Sequence, residues 1–288
     1  MTDSSEPLIR NISDTARWVA TYRARETERV DALFRDPYAR RLAGDQGEEI
    51  ARAHRFTEQH SWPMVMRTYL FDEFVTTEIR AGADLVLNLA AGLDARPYRL
   101  TLPRELRWVE VDLPSVIAYK EQVLAGESPT CRLERVALDL LDVDGRVRVL
   151  KSMRGAAARS LVLAEGLLIY LGADDVAALA DDLAAAGFQC WIVDLASPAL
   201  LNLMAKEMGD LVTRAAAPYR FAPDDGPEFF RRGGWMPTDV RSTFRTAAQL
   251  NRLPADLQPF AQYPDPPEPW KLPIPWSAVV RLVRDWQR

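Results

Sequence analysis

The order of apolar and polar positions divides the chain into two textures. From Thr15 to about Arg80 apolar residues recur at helical spacing among many charges, through ARWVATYRARETERVDALF, DPYARRLAG and RTYLFDEFVTTEIRAG, with Gly44 and Gly82 placed to end helices. After Gly82 come short β-rich runs at 85–90 (LVLNLA), 107–112 (RWVEVD), 132–138 (RLERVAL), 160–165 (SLVLAE) and 190–196 (CWIVDLA), separated by helix-length segments. One intervening helix, LPSVIAYKEQVLAG, sets Val116, Tyr119, Val123 and Leu124 on a stripe and carries Pro114 in its first turn. Another, ADDVAALADDLAAAG, sets Val176, Leu179, Ala180 and Leu183 on a stripe and stops at Gly187. Near-continuously apolar strands alternating with one-faced helices predict an α/β fold: a mostly parallel sheet covered on both sides.

The last hundred residues are less regular. A helix and loop are expected from Met204 to about Phe230, with candidate final strands in TDVRSTF and WSAVVRLV. Eight prolines from Pro254 to Pro275 forbid a regular helix or central strand, so this stretch reads as a semi-rigid surface connection or a pocket wall. Trp235, Phe229, Phe230, Tyr263 and Trp270 are candidates for the core or for an aromatic acceptor pocket.

Composition narrows the function classes. With 36 Lys+Arg against 41 Asp+Glu, a net charge of −5, the chain offers no electrostatic reason to bind nucleic acid or an anionic membrane. No apolar run reaches the ~18 residues of a membrane span, and MTDSSEPLIR lacks a signal-peptide pattern, so a cytoplasmic protein is expected. Cys131 and Cys190 lack zinc or redox spacing and read as core residues; the only histidines, His54 and His60, do not suggest a His-based triad or metal site.

The sharpest chemical signal is LVLNLAAGLDARPYRL. A strand that runs into small residues and Gly92, then into a helix start with Asp94 as N-cap and Pro97 in its first turn, lets backbone N–H groups approach a ligand. Asp112 ends the next strand twenty residues after Gly92, where an acid accepts hydrogen bonds from ribose hydroxyls, and Asp139 follows the third strand where an adenine edge would be read. A dinucleotide fingerprint is absent: the turn reads Ala90, Ala91, Gly92, Leu93, Asp94, Ala95, with an acid where pyrophosphate would lie. That acidity points to a cofactor with a cationic sulfonium, S-adenosylmethionine.

RETERVDALFRDPYARRLAG, NLAAGLDARPYRL, VEVDLP and LVLAEGLLIYL, in this order, resemble the leucine carboxyl methyltransferase family, especially its bacterial branch of polyketide and natural-product O-methyltransferases. The resemblance, over roughly residues 15–195, implies a Rossmann-like class I methyltransferase with a seven-stranded sheet. It also implies an N-terminal helical cap (1–82) on a core (83–288) whose irregular part, about 198–276, faces the acceptor, all in one integrated domain. It assigns Gly92 to the methionine part of the cofactor, Asp112 with Leu113 to the ribose, Asp139 and Leu140 to adenine, and Glu165 to the methionyl side. Arg67 would pair with the cofactor carboxylate, seconded by Arg23 or Arg25. Ala90 departs from the glycine of glycine-rich members.

Structural alternatives stand beside these roles. Asp112 can cap the helix begun by Pro114, Glu165 can pair with an arginine, Arg67 can be a structural ion pair, and Arg96 and Arg99 can pair with Glu110 or Asp94. The function expected is methyl transfer to a carboxylate or hydroxyl of a small acceptor, by positioning rather than by a dedicated base. Methylation of a protein C-terminal carboxylate, a non-catalytic cofactor-binding module and an NAD-binding protein are the alternatives.

Overall fold

Seven strands hydrogen-bond in the order β3-β2-β1-β4-β5-β7-β6 in the computed structural model, which describes residues 12–53, 61–155, 157–214 and 218–284. In chain order the elements are α1 (Ile12–Thr27), α2 (Ala39–Ala53), α3 (Trp62–Arg80), β1 (Leu85–Leu89), α4 (Arg96–Arg99), β2 (Arg107–Asp112) and α5 (Pro114–Val123). There follow β3 (Arg132–Ala137), α6 (Val143–Arg154), β4 (Ser160–Ala164), α7 (Ala173–Ala185), β5 (Cys190–Ala196), α8 (Pro198–Arg214), β6 (Trp235–Ser242), α9 (Thr243–Gln249) and β7 (Ser277–Arg284). Strands β1 to β5 are parallel, and β7 runs antiparallel to both β5 and β6. This is the Rossmann-like sheet that the strand-helix alternation predicts.

Alternation along each central strand feeds two cores. Leu85, Leu87 and Leu89 of β1, Val162 of β4 and Trp191 and Val193 of β5 pack on one face with Leu150 of α6 and with Val176, Leu179, Ala180 and Leu183 of α7. Val86, Leu161, Leu163 and Ile192 point to the other face, against Leu70, Phe71, Phe74 and Val75 of α3. All five residues of β1 and of β4 are buried, as strands covered on both sides require. Each such side chain is worth about 1.5–3 kcal/mol of hydrophobic burial, which is why the middle of the sheet anchors everything built on its ends.

Three expectations need correction. The stripe of α5 is shifted: Val116, Ile117, Lys120 and Leu124 are buried, whereas Tyr119 and Val123 are half-buried. Lys120 can be buried because its Nζ lies 2.7 Å from Glu110 Oε1. The run TDVRSTF is the end of one element and the start of the next, because Ser242 accepts from Arg245 N and caps α9. The proline-rich stretch forms short 3-10 turns at Gln258–Gln262 and Pro269–Lys271, with only Leu257 and Pro275 of its length touching the main cavity. Trp235 and Phe230 belong to the core, Phe229 and Trp270 pack against it, and Tyr263 is exposed.

Before the sheet, α1 packs on α2 through Trp18, Tyr22, Ile50 and Ala51, and through Ala20, Leu42 and Ala43 against Leu93, Ala95 and Tyr98 beyond β1. Cys131 and Cys190 are buried and unbridged. His54 and His60 lie outside the described residues, in which no helix is long and apolar enough to cross a membrane.

Candidate active site

Between β1 and β4 the order of strand connections reverses, so the segments leaving their carboxyl ends diverge and open a crevice. The crevice is a cavity of about 690 Å³. Arg67, Ala90, Gly92, Asp112, Leu113, Asp139, Leu140 and Glu165 all line it. Of the two candidate basic partners, Arg23 lines it, whereas Arg25 is directed to Glu48 at 3.0 Å and is not part of the wall.

The turn after β1 needs positive φ twice, 49° at Ala90 and 49° at Gly92. At Gly92 space is not the constraint, since a Cβ there would make only ordinary contacts, with Ala16 Cβ at 3.5 Å and Ala90 O at 3.9 Å; the backbone conformation is. At Ala90 an alanine adopts the left-handed conformation that glycine takes more readily, so the departure seen in the sequence is carried as local backbone strain. The result is that Gly92 N points at the end of β2 and donates to Asp112 Oδ2 at 2.6 Å, while Leu113 N donates to Asp112 Oδ1 at 2.7 Å.

Asp112 is 8% exposed, and burial pushes its carboxyl above the ordinary value against the two backbone donors. Each oxygen keeps acceptor capacity for a further donor. Asp139 is exposed after β3 and accepts from Leu141 N at 2.9 Å; beside it Leu113, Leu138 and Leu140 provide apolar surface for a flat ring.

Asp94 corrects the sequence reading in two ways. The N-cap position of α4 is Ala95, and Asp94 Oδ1 accepts from Arg96 N at 2.9 Å instead of capping the helix itself. Nor is the turn a free negative patch, because Asp94 Oδ2 is 2.8 Å from Asn88 Nδ2 and 3.0 Å from Arg96 Nη1. Burial opposes its ionisation, but Arg96, Lys120 and Arg99 outweigh that and hold it at about 2. The acidity of this turn is thus neutralised internally and cannot be what rejects a diphosphate.

On the other side of Arg96, Glu165, just past β4, receives Arg67 Nε at 3.2 Å and Arg96 Nη1 at 2.8 Å. Asp194 near the end of β5 accepts from Gly166 N at 2.6 Å and lies 3.3 Å from Arg67 Nη1. Burial drives the Asp194 carboxyl up, against the pull of Arg67 and the Gly166 N–H. The same two acids keep Arg67 above its ordinary value in spite of burial. Asp194 is a lining residue that the sequence reading missed; the acid interrupting the apolar run CWIVDLA was the available signal. Arg96 also meets Asp72 at 2.6 Å, and Asp72 is gripped by Arg99 through both guanidinium nitrogens, so Glu110 is not their partner. Glu110 pairs instead with Lys120 and Arg135.

Acids thus stand at the carboxyl ends of four strands: Asp112 for a diol, Asp139 beside apolar surface for a base, Glu165 and Asp194 braced on Arg67. The set fits a nucleoside joined to an amino-acid tail that carries both signs of charge.

The leucine carboxyl methyltransferase family model matches residues 16–184. A Saccharopolyspora erythraea protein named "Putative S-adenosyl-L-methionine-dependent methyltransferase" is 34% identical over 247 residues, covering 78% of this chain and 84% of that one. A Mycobacterium tuberculosis relative of the same name is 30% identical over 278 residues, covering 87% and 88%. With a Mycobacteroides abscessus relative, also so named, identity is 36% over 181 residues, and the match spans 58% of this chain but only 59% of that protein. Among solved structures, a Thermobifida fusca protein described as a "putative methyltransferase" shares the fold, with a TM-score of 0.60 at 13% identity over 98% of this chain and 97% of that one. The chain belongs to the leucine carboxyl methyltransferase family.

Proposed function

We propose that the protein is an S-adenosylmethionine-dependent O-methyltransferase whose acceptor is a small, natural-product-like molecule, methylated on a carboxylate in preference to a hydroxyl. The donor supplies an electrophilic methyl group, which leaves sulfur for the acceptor oxygen. In this reading Asp112 and Leu113 hold the ribose, Asp139 and Leu140 the adenine, Ala90 and Gly92 the approach to the methionyl chain, and Arg67, Glu165 and Arg23 its charged end. Residues 1–82 act as a cap and about 198–276 as the acceptor side of one integrated unit.

The observation that carries the carboxylate preference is the composition of the wall. Among the described residues no His, Cys or Lys lines the cavity, and its carboxylates are tied up or exposed: Asp94, Glu165 and Asp194 pair with Arg96 or Arg67, Asp112 accepts from Gly92 N and Leu113 N, and Asp139 and Glu207 are exposed. The lining phenols Tyr170 and Tyr219 are pushed above their ordinary value by burial, so they stay protonated and serve as donors rather than bases. A carboxylate is already ionised near pH 7 and needs no base; the remaining work is to hold donor and acceptor in line with water excluded.

The test is transfer from methyl-labelled S-adenosylmethionine to a panel of small carboxylic acids and phenols, followed by mild alkali. Esters release labelled methanol and aryl ethers do not. Base-labile label is expected; base-stable label would move the reaction to hydroxyl groups, and label found only on polypeptide C-termini would make the acceptor a protein.

A further inference from the structure

Four cations line the cavity: Arg23, Arg67, Arg96 and Arg220. Three are already neutralised. Arg23 pairs with Asp36, Arg67 with Glu165 and Asp194, and Arg96 with Asp72, Asp94 and Glu165. Arg220 is exposed and, among the described residues, has no carboxylate within ion-pair distance.

Its backbone is nonetheless firmly placed. Arg220 N and Phe221 N both donate to Ile169 O, at 2.7 and 3.2 Å. On one side the Tyr219 ring lies 5.7 Å from that of Tyr170, and on the other Phe221 is buried edge-on against Phe229. Arg220 thus belongs to the cavity wall on an anchored strap, with no ion-pair partner among the described residues. The same cavity wall carries apolar surface from Trp18 of α1 and from Leu200, Leu203 and Met204 of α8, and one acid of α8, Glu207.

We infer that Arg220 is a specificity-determining residue that recognises the acceptor as an apolar-bodied carboxylate, aromatic or aliphatic. The inference rests on the carboxylate reading above and extends it to a substrate class. A guanidinium matches a carboxylate geometrically, offering parallel N–H donors to both of its oxygens. An uncharged methyl ester no longer pairs with it, so the residue that retains the substrate also lets the product go.

The experiment titrates protein saturated with S-adenosylhomocysteine with 2-naphthoate and with decanoate, each beside its primary amide, in the wild type, Arg220→Gln and Arg220→Lys. At least one acid is expected to bind about five- to tenfold more tightly than its amide. That preference is expected to vanish in Arg220→Gln and largely to persist in Arg220→Lys, with S-adenosylhomocysteine affinity unchanged in both. The inference is overturned if the wild type shows no preference or no binding of either acid, if Arg220→Gln keeps the preference, or if Arg220→Gln loses the nucleoside instead. An Arg220-dependent preference for acids without any base-labile methyl product would leave this anion site standing and remove the ester-forming reading. Ester formation with an unchanged KM in Arg220→Gln would do the reverse.

Discussion

Asp112 shows how one side chain serves structure and binding together. Its carboxylate ties the turn after β1 to the end of β2 through Gly92 N, and Leu113 N holds the other oxygen. The capping alternative fails, because the N-cap of α5 is Leu113 and no side chain caps that helix; Gly92 N and Leu113 N orient the acid instead, at the wall of the cavity. Replacing it by alanine removes charge-assisted hydrogen bonds worth about 1.5–3 kcal/mol each, so S-adenosylmethionine should bind at least about tenfold more weakly by calorimetry. Urea unfolding of the same variant separates lost binding from lost folding; unchanged cofactor affinity in a folded variant would take Asp112 out of the site. Glu165 and Arg67 are likewise both an ion pair and part of the wall, with Asp194 completing the set.

Among elements, α1 is the one whose displacement would reshape the site. Thr15, Ala16, Trp18, Val19 and Arg23 all come from it into the cavity wall. One of its polar ties is Arg23, whose Nε meets the buried Asp36 at 2.9 Å and whose Nη2 donates to Leu93 O at 2.6 Å. That single side chain joins α1, the segment leading to α2, and the turn after β1. Truncating one partner of a buried pair strands the other charge, so Arg23→Ala should lower the unfolding free energy by about 3 kcal/mol. Denaturant titration reads this directly; a change within about 0.5 kcal/mol, the size of an ordinary surface substitution, would mean that the other contacts of α1 seat it without Arg23.

At the scale of the whole molecule, the buried ion pairs around the turn shape how stability depends on pH. Asp94 falls from an ordinary 3.8 to about 2 in the folded chain. A carboxyl depressed by folding stabilises above its unfolded value, and that stabilisation is lost as pH drops from about 4 through about 2. Asp112 and Asp194 have the opposite sign, because burial raises them: what they contribute is present at low pH and lost as pH rises through their shifted values. Asp94→Asn should therefore be less stable than the wild type at neutral pH, with the deficit shrinking by about 2 kcal/mol between pH 4 and pH 2. Parallel acid-limb slopes in the two proteins, followed by urea unfolding at each pH, would show that Asp94 titrates normally.

What the residue order determined is local. Strand positions 107–112 and 190–196, the buried face of α7, and the placement of Gly92 and Asp112 follow from periodicity and spacing, because each depends on neighbours within a few residues or on one strand-turn-strand unit. The motifs in order were also enough to indicate the family. What only the tertiary structure decided is which charges meet. Asp94 is neutralised by Arg96 two residues away, but Arg96 is held there by Asp72 and Glu165, 24 residues before it and 69 after it in number order. Asp194 meets Arg67 of α3, Arg23 rather than Arg25 lines the cavity, and Arg220 has no ion-pair partner among the described residues. Periodicity predicts a segment's own conformation; the sign and availability of a charge in a cavity depend on all the segments that converge there, and that convergence is a property of the folded sheet.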